Sequence, residues 1–193
     1  MEGGVRMTAG AKRAPRADAQ RNRTRLLAAA APLSRAGGGE LSLEQVARDA
    51  GVSIATLYRH FPTREALLLA LSHDDAAAHR SRAAHLLETT TPLQALEQWL
   101  HEMGRYGLTR PGMAHAFRTV AAGFEDHEVY RTTAAALASL LDAGREEGTI
   151  RGDLTADDVL LALCGPWDLE DSPEARAQCD RLSGLLLDGL RTR

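Results

Sequence analysis

Apolar positions recur along most of this chain at the three- and four-residue spacing of amphipathic helices. Leu26, Leu27, Ala30 and Leu33 mark a first helix that starts near Asp18, and Gly37-Gly38-Gly39 predicts where it stops. Ser42-Leu43-Glu44-Gln45 reads as a capping box, with Ser at the N-cap and Gln at N3. It opens a short helix that turns Val46, Ala47 and Ala50 inward. Gly51 supplies the left-handed residue of a tight turn. Ser53 caps the next helix, which runs to about His60. Phe61-Pro62 ends it, because a residue before proline disfavours the α region. Thr63 caps a long helix through Leu67, Leu68 and Leu71 that extends toward Leu87.

The second half keeps the same punctuation. Thr91-Pro92-Leu93-Gln94 combines a cap, a proline at the first helical position and Gln at N3. Its helix carries Leu96, Trp99, Leu100, Met103 and Tyr106. Arg110-Pro111-Gly112 breaks the chain, and a short helix with Met113, Phe117 and Val120 follows. Another runs from about Glu125 to Glu147 and stops at Gly148. Thr155-Ala156-Asp157-Asp158 opens a helix with Val159, Leu160 and Leu163. Ser172-Pro173-Glu174 opens the last, with Leu182, Leu185, Leu186 and Leu190. About nine helices and no strand pattern predict an all-α fold.

Composition agrees. Hydrophobic residues are 44% of the 193 and aromatics only 4%, with Ala and Leu dominant. That balance favours packed helices and is enough for one or two domains. The net charge of −3 hides an asymmetry. Residues 1–64 hold 11 basic against 5 acidic side chains, a net +6, and the remainder holds 12 against 21, a net −9. A basic end on an acidic body suits a polyanionic partner. The segment 1–17 reads as a flexible basic arm, 18–71 as one domain and 72–193 as a second. Two cysteines, Cys164 and Cys179, cannot frame a chain of this length, so a reduced, cytoplasmic setting is expected. No apolar run approaches a membrane span, and the N-terminus lacks the apolar core of a signal peptide.

The stretch Ala50–Phe61 carries the most specific chemistry. At about 100° per residue, Ile54, Leu57 and Phe61 share an inward face, with Tyr58 at its edge. Ala55, Thr56, Arg59 and His60 face outward. A small residue, a hydroxyl, a guanidinium and an imidazole suit a helix laid in a DNA major groove. Ala55 permits close approach, Thr56 bonds a base edge or phosphate, and Arg59 reads guanine or pairs with phosphate. Ser42 and Thr63 begin helices whose free N–H groups attract phosphate, and Arg64 adds charge at the second.

Residues 20–71 resemble the DNA-binding domain of the TetR/AcrR transcriptional regulators. The matching positions are Arg25-Leu26-Leu27-Ala28-Ala29-Ala30, Gly37, Val46-Ala47, Ala50-Gly51-Val52-Ser53, Thr56-Leu57-Tyr58, His60-Phe61 and Glu65-Ala66-Leu67-Leu68. The resemblance implies a homodimeric, ligand-responsive repressor without a cofactor. It would bind a pseudo-palindromic operator in duplex DNA and release it when a small molecule binds the larger domain. By motif position, Ser42, Ser53, Ala55, Thr56, Tyr58, His60 and Arg64 correspond to DNA-contacting residues, Tyr58 and His60 mainly to phosphate. Ile54 stands where the family often touches DNA, although the helical wheel turns it inward. The chain departs from the family with Ala55 for a common Gly, Arg64 for a common Lys, and Ser34 for a common Phe. The last should loosen the packing behind the domain.

In the second domain the resemblance is architectural. Gly148–Leu154 resembles the turn before the penultimate helix, and Leu187–Arg191 resembles a common final-helix ending. Val159, Leu160, Leu163, Leu182, Leu185, Leu186 and Leu190 form stripes that a two-fold four-helix interface would bury. Trp99, Met103, Tyr106, Met113, Phe117, Phe124 and Trp167 are the candidate lining of an apolar or aromatic effector pocket. His73, His79 and His85 are six residues apart and share no helix face, so no metal site is expected. The alternatives are an activator of the same fold or a small helical metal-dependent hydrolase using His73 and Asp74. No nucleophile motif supports an enzyme.

Overall fold

A computed structural model describes residues 15–35, 41–122 and 127–192. Among these it contains ten α-helices and one turn of 3-10 helix. They are α1 (Pro15–Arg35), α2 (Leu43–Asp49), α3 (Ile54–His60), α4 (Arg64–Leu71), α5 (His73–Thr89), α6 (Pro92–Leu108), α7 (Met113–Ala121), α8 (Glu128–Glu146), α9 (Ala156–Leu163) and α10 (Pro173–Leu190). The 3-10 turn, Gly165–Asp168, precedes α10. No strand forms among the described residues; a single antiparallel bridge joins Ile150 to Arg191. Residues 1–14 of the expected arm, Gly37-Gly38-Gly39 and Phe124 lie outside the described residues.

Most helix starts follow from side-chain caps. Ser53, Thr63, Thr91, Thr155 and Ser172 each accept a hydrogen bond from a backbone N–H in the first turn. Thr91 and Gln94 complete a reciprocal capping box. The one expected at Ser42 is half formed. Ser42 accepts from the Gln45 N–H, but the Gln45 amide donates along the helix to Asp49 Oδ1 at 2.6 Å.

Four boundaries differ from the sequence pattern. Pro15, at the first helical position, starts α1 ahead of Asp18, so residues 15–17 belong to the helix and not to the arm. The helix expected from Thr63 toward Leu87 breaks at Ser72, which caps α4 with φ −97°. The Ser72 hydroxyl donates back to Leu68 O at 3.3 Å, the local competition by which serine weakens a helix interior. The helix expected from about Glu125 is α8, which begins at Glu128. Finally, the segment holding Trp167 forms its own 3-10 turn, bounded by Cys164 and Leu169.

Two buried clusters result. The smaller gathers Leu26 and Ala30 of α1, Val46 and Ala47 of α2, Leu57 and Phe61 around α3, and Leu67 and Leu68 of α4. The larger runs through α5, α6, α7, α8, α9 and α10, and includes Leu69 of α4. Helix α4 therefore serves both, with consecutive leucines pointing to opposite sides. On α6, two glycines let neighbours reach the backbone. A Cβ at Gly104 would lie 2.9 Å from Cys179 Sγ, and one at Gly107 would lie 2.1 Å from the Trp167 ring. At the far end, Gly148 (φ 76°) terminates α8, and the Arg151 N–H donates to Leu190 O at 2.9 Å, tying the end of α10 to that turn.

Candidate nucleic-acid interface

Helices α2 and α3 are seven residues each, joined through Gly51 at φ 64°. The Gly51 N–H donates to Arg48 O (3.0 Å) and the Val52 N–H to Ala47 O (3.1 Å), closing the turn. Leu57 and Phe61 anchor α3 in the core, and the Arg23 guanidinium lies 4.7 Å from the Phe61 ring centre. Removing these apolar groups from water holds the opposite face of a short helix outward.

That outward face carries Ser53, Ala55, Tyr58 and Arg59, all exposed, with Thr56 and His60 half-buried at its margins. Tyr58 is 46% exposed. Ile54 is 38% exposed, so the inward placement read from the wheel is corrected. A wheel gives the azimuth of a side chain, not its position along the axis. Ile54 is the first residue of α3, one turn before the buried Leu57. It therefore joins the outward row.

The polar groups of this face bond to one another. Ser53 Oγ and Thr56 Oγ1 are 2.9 Å apart, and Arg59 Nη2 donates to Thr56 Oγ1 at 2.9 Å. Among the described residues Arg59 has no carboxylate partner, so its charge is available to an acidic ligand. Ser42 is exposed at the start of α2. Arg64, expected at the same face, is half-buried in the first turn of α4 and turned toward the α6–α7 turn, where a Cβ on Gly112 would lie 3.8 Å from its Nη2, so that expectation is corrected.

Most of the residues expected to line an effector pocket are packed in the core of the second domain. Trp99, Met103, Met113, Phe117 and Trp167 are all buried. Phe117 meets Trp167 edge-on at 5.3 Å and Tyr130 at 5.4 Å. The Trp99 indole donates to His79 O at 3.1 Å. Burial also pushes the Cys164 thiol up to about 12, which keeps it protonated and poorly nucleophilic. His73 lies beside Asp74 (3.5 Å) and Glu128 (3.8 Å), all on the surface.

A cleft of about 240 Å³ instead opens between the two domains. Its walls are Ala31 and Ser34 of α1, Leu68 and Leu71 of α4, Ser72, Asp74 and Asp75 at the start of α5, and Arg110, Pro111 and Met113 between α6 and α7. Of the expected pocket residues that are described, Met113 alone is among these walls. Tyr106 stands behind Asp75 and donates its hydroxyl to Asp75 Oδ2 at 2.9 Å, while Arg110 Nη2 donates to the same oxygen at 3.0 Å. Burial alone would raise the Asp75 carboxyl, but these two hydrogen bonds and the Arg110 charge hold it below the usual carboxylate range. Burial pushes the Tyr106 hydroxyl up to about 12. The sequence signal that marks this cleft is Ser34, where the family commonly has a larger side chain.

The apolar stripe of the last two helices divides. Val159, Leu160, Leu163 and Leu190 close the core of this chain and are not available to a partner. Leu186 is half-buried, while Leu182 (39%), Leu185 (69%) and also Leu161 (42%) are exposed. Sequence spacing alone does not distinguish a stripe that faces its own domain from one that faces out.

Residues 26–71 match the family of bacterial regulatory proteins, tetR family, and residues 91–192 match the C-terminal domain of SbtR-like transcriptional regulators. A TetR transcriptional regulator from Streptomyces coelicolor is 38% identical, with 88% of this chain and 98% of that one covered and a TM-score of 0.56. RolR in complex with resorcinol is 20% identical over 91% of this chain and 90% of its own, with a TM-score of 0.68. Thermus thermophilus FadR in complex with lauroyl-CoA is 21% identical over 89% and 96%, with a TM-score of 0.58. A comparison with the curated proteins gives no match. Two matched domains in order, a helix-turn-helix with its outward polar row, and a relative of this identity over nearly the whole chain place the protein in the TetR family of transcriptional regulators, a non-enzymatic family.

Proposed function

We propose that the protein is a ligand-responsive repressor that binds a pseudo-palindromic operator as a homodimer and releases it when a small molecule binds. The observation that carries this reading is the outward row of α3, with Ile54, Ala55, Tyr58 and Arg59 exposed above an anchored Leu57 and Phe61. Ala55 and Ile54 offer apolar contact to a thymine methyl, Thr56 and Arg59 reach base edges, and Ser42, Ser53, Tyr58 and His60 hold phosphates. Two copies would present two such helices to half-sites about one helical turn, or a multiple of it, apart. The exposed Leu182 and Leu185 with half-buried Leu186 on α10, and Leu161 on α9, supply the apolar face for that pairing.

Repression would be steric, by occupying promoter DNA. Release requires an effector with different affinity for the DNA-bound and free arrangements, not merely tight binding. Related folds hold resorcinol in RolR and lauroyl-CoA in FadR, which supports a small organic effector.

Selecting bound duplexes from a random or genomic pool tests the reading. The expected result is an enriched inverted repeat whose binding weakens steeply with salt. Tyr58→Ala with His60→Ala should reduce affinity at least about tenfold at unchanged stability, because phosphate contacts hold the register. Undiminished binding by that double variant would remove α3 from the interface.

A further inference from the structure

The cleft between the domains carries hydrogen-bond acceptors on several of its walls. The Ser34 hydroxyl spends its proton on Ala31 O at 3.1 Å, and the Ser72 hydroxyl spends its own on Leu68 O at 3.3 Å. The Ser34 oxygen keeps only lone pairs to offer, whereas the Ser72 hydroxyl also bonds to Tyr106. Asp75 receives Tyr106 and Arg110 on Oδ2, and among the described residues Oδ1 has no donor. Asp74 is fully exposed, with His73 beside it. Arg110, the cation of the cleft, is turned onto Asp75 and over the Tyr106 ring, 4.9 Å from its centre. The cleft thus presents Ser34 Oγ, Asp75 Oδ1 and the Asp74 carboxylate as acceptors, beside an apolar floor that includes Leu68 and Met113.

We infer that this cleft binds a small organic cation, a primary ammonium on a short apolar body of one ring or a few carbons. An ammonium brings three N–H donors and a positive charge to lining groups that carry two carboxylates and one guanidinium. Its apolar body covers the leucine and methionine floor. The volume of about 240 Å³ lies below the roughly 300–1,000 Å³ of sites for drug-sized ligands, which sets the size of the occupant. The short Ser34 side chain leaves the space open, where a phenylalanine would fill it. The site is inferred independently of the repressor reading, and its test contains no DNA.

The probes are 2-phenylethylamine and 3-phenylpropionate, which share an apolar body and differ in charge. In amide NMR titrations of the full chain, the amine should give saturable shifts at Ser34, Ser72 and Asp75, and the carboxylate none at these positions. Ser34→Phe should abolish the shifts by filling the cleft. Asp74→Asn alters a fully exposed side chain, so its fold is safe, and it should weaken the amine several-fold. No saturable shifts, equal response to both probes, or amine binding unchanged in Asp74→Asn would each overturn the assignment.

Discussion

Trp167 lies against Gly107 of α6 so closely that a Cβ there would come within 2.1 Å of the indole ring. The facing atoms are the rigid ring carbons Cγ, Cδ2 and Cε2, not the end of a flexible side chain. Phe117 holds the indole from another side. The close approach therefore fixes the 3-10 turn between α9 and α10 onto α6.

Gly107→Ala consequently sets two effects against each other. Alanine gains up to about 1 kcal/mol of helix propensity over glycine. Overpacking a core typically costs about 1–3 kcal/mol, and the rigid ring puts this site at the upper end. The expected outcome is a lower midpoint in urea denaturation. Gly189→Ala on α10, where a Cβ meets nothing within 4 Å, should instead be neutral or slightly stabilising. If both variants behave alike, the indole does not sit on Gly107.

This contact also shows where sequence reasoning stops. Caps are local, so Ser53, Thr91 and Thr155 revealed their helices from a few neighbouring residues. The outward groups of α3 were legible because a short amphipathic helix has one buried face. For Ile54 the helical wheel and the family position point in different directions, because exposure depends on position along the axis as well as on azimuth. Trp99, Phe117 and Trp167 read equally well as pocket lining or core, since the same side chains do either. Where the indole sits follows from tertiary packing, with Gly107 admitting it. The division of the last two helices into buried Leu160 and exposed Leu185 is settled the same way. The break at Ser72 was hidden because a serine that bonds back to Leu68 looks from the sequence like any polar helix position.

His79 makes stability depend on pH near neutrality. Its ring packs edge-on to Tyr106, with centres 4.6 Å apart. Burial pushes the imidazole below its ordinary 6.5, while Asp75 and Glu102 pull in the opposite direction without cancelling it. In the unfolded chain the ring takes its proton near 6.5; in the fold it resists. Protonation therefore favours unfolding. The contribution of His79 is present above about pH 6.5 and is lost progressively as pH falls through the interval down to the lowered folded value. Unfolding free energies measured from about pH 7.5 to 5.5 should fall more steeply in the wild type than in His79→Gln. The other histidines are common to both proteins, so the difference in slope isolates this one. Parallel curves would mean that His79 titrates alike in the folded and unfolded chains.

The proposed dimer face is separable from the core on the same pair of helices. Leu185 is exposed on α10, whereas Leu160 of α9 is fully buried. Leu185→Arg should leave monomer stability within about 0.5 kcal/mol, as expected for a surface change. On a dimer paired through α10, the same change places a charge in an apolar contact. The dissociation constant in sedimentation equilibrium should then rise at least about tenfold, equivalent to about 1.4 kcal/mol. Leu160→Ala should do something different and destabilise the chain by about 2–5 kcal/mol through a core cavity, whatever the state of association. Leu186→Arg, at a half-buried position beside Leu185, should combine the two effects. An association equilibrium unmoved by both Leu185→Arg and Leu186→Arg would place the pairing surface away from α10.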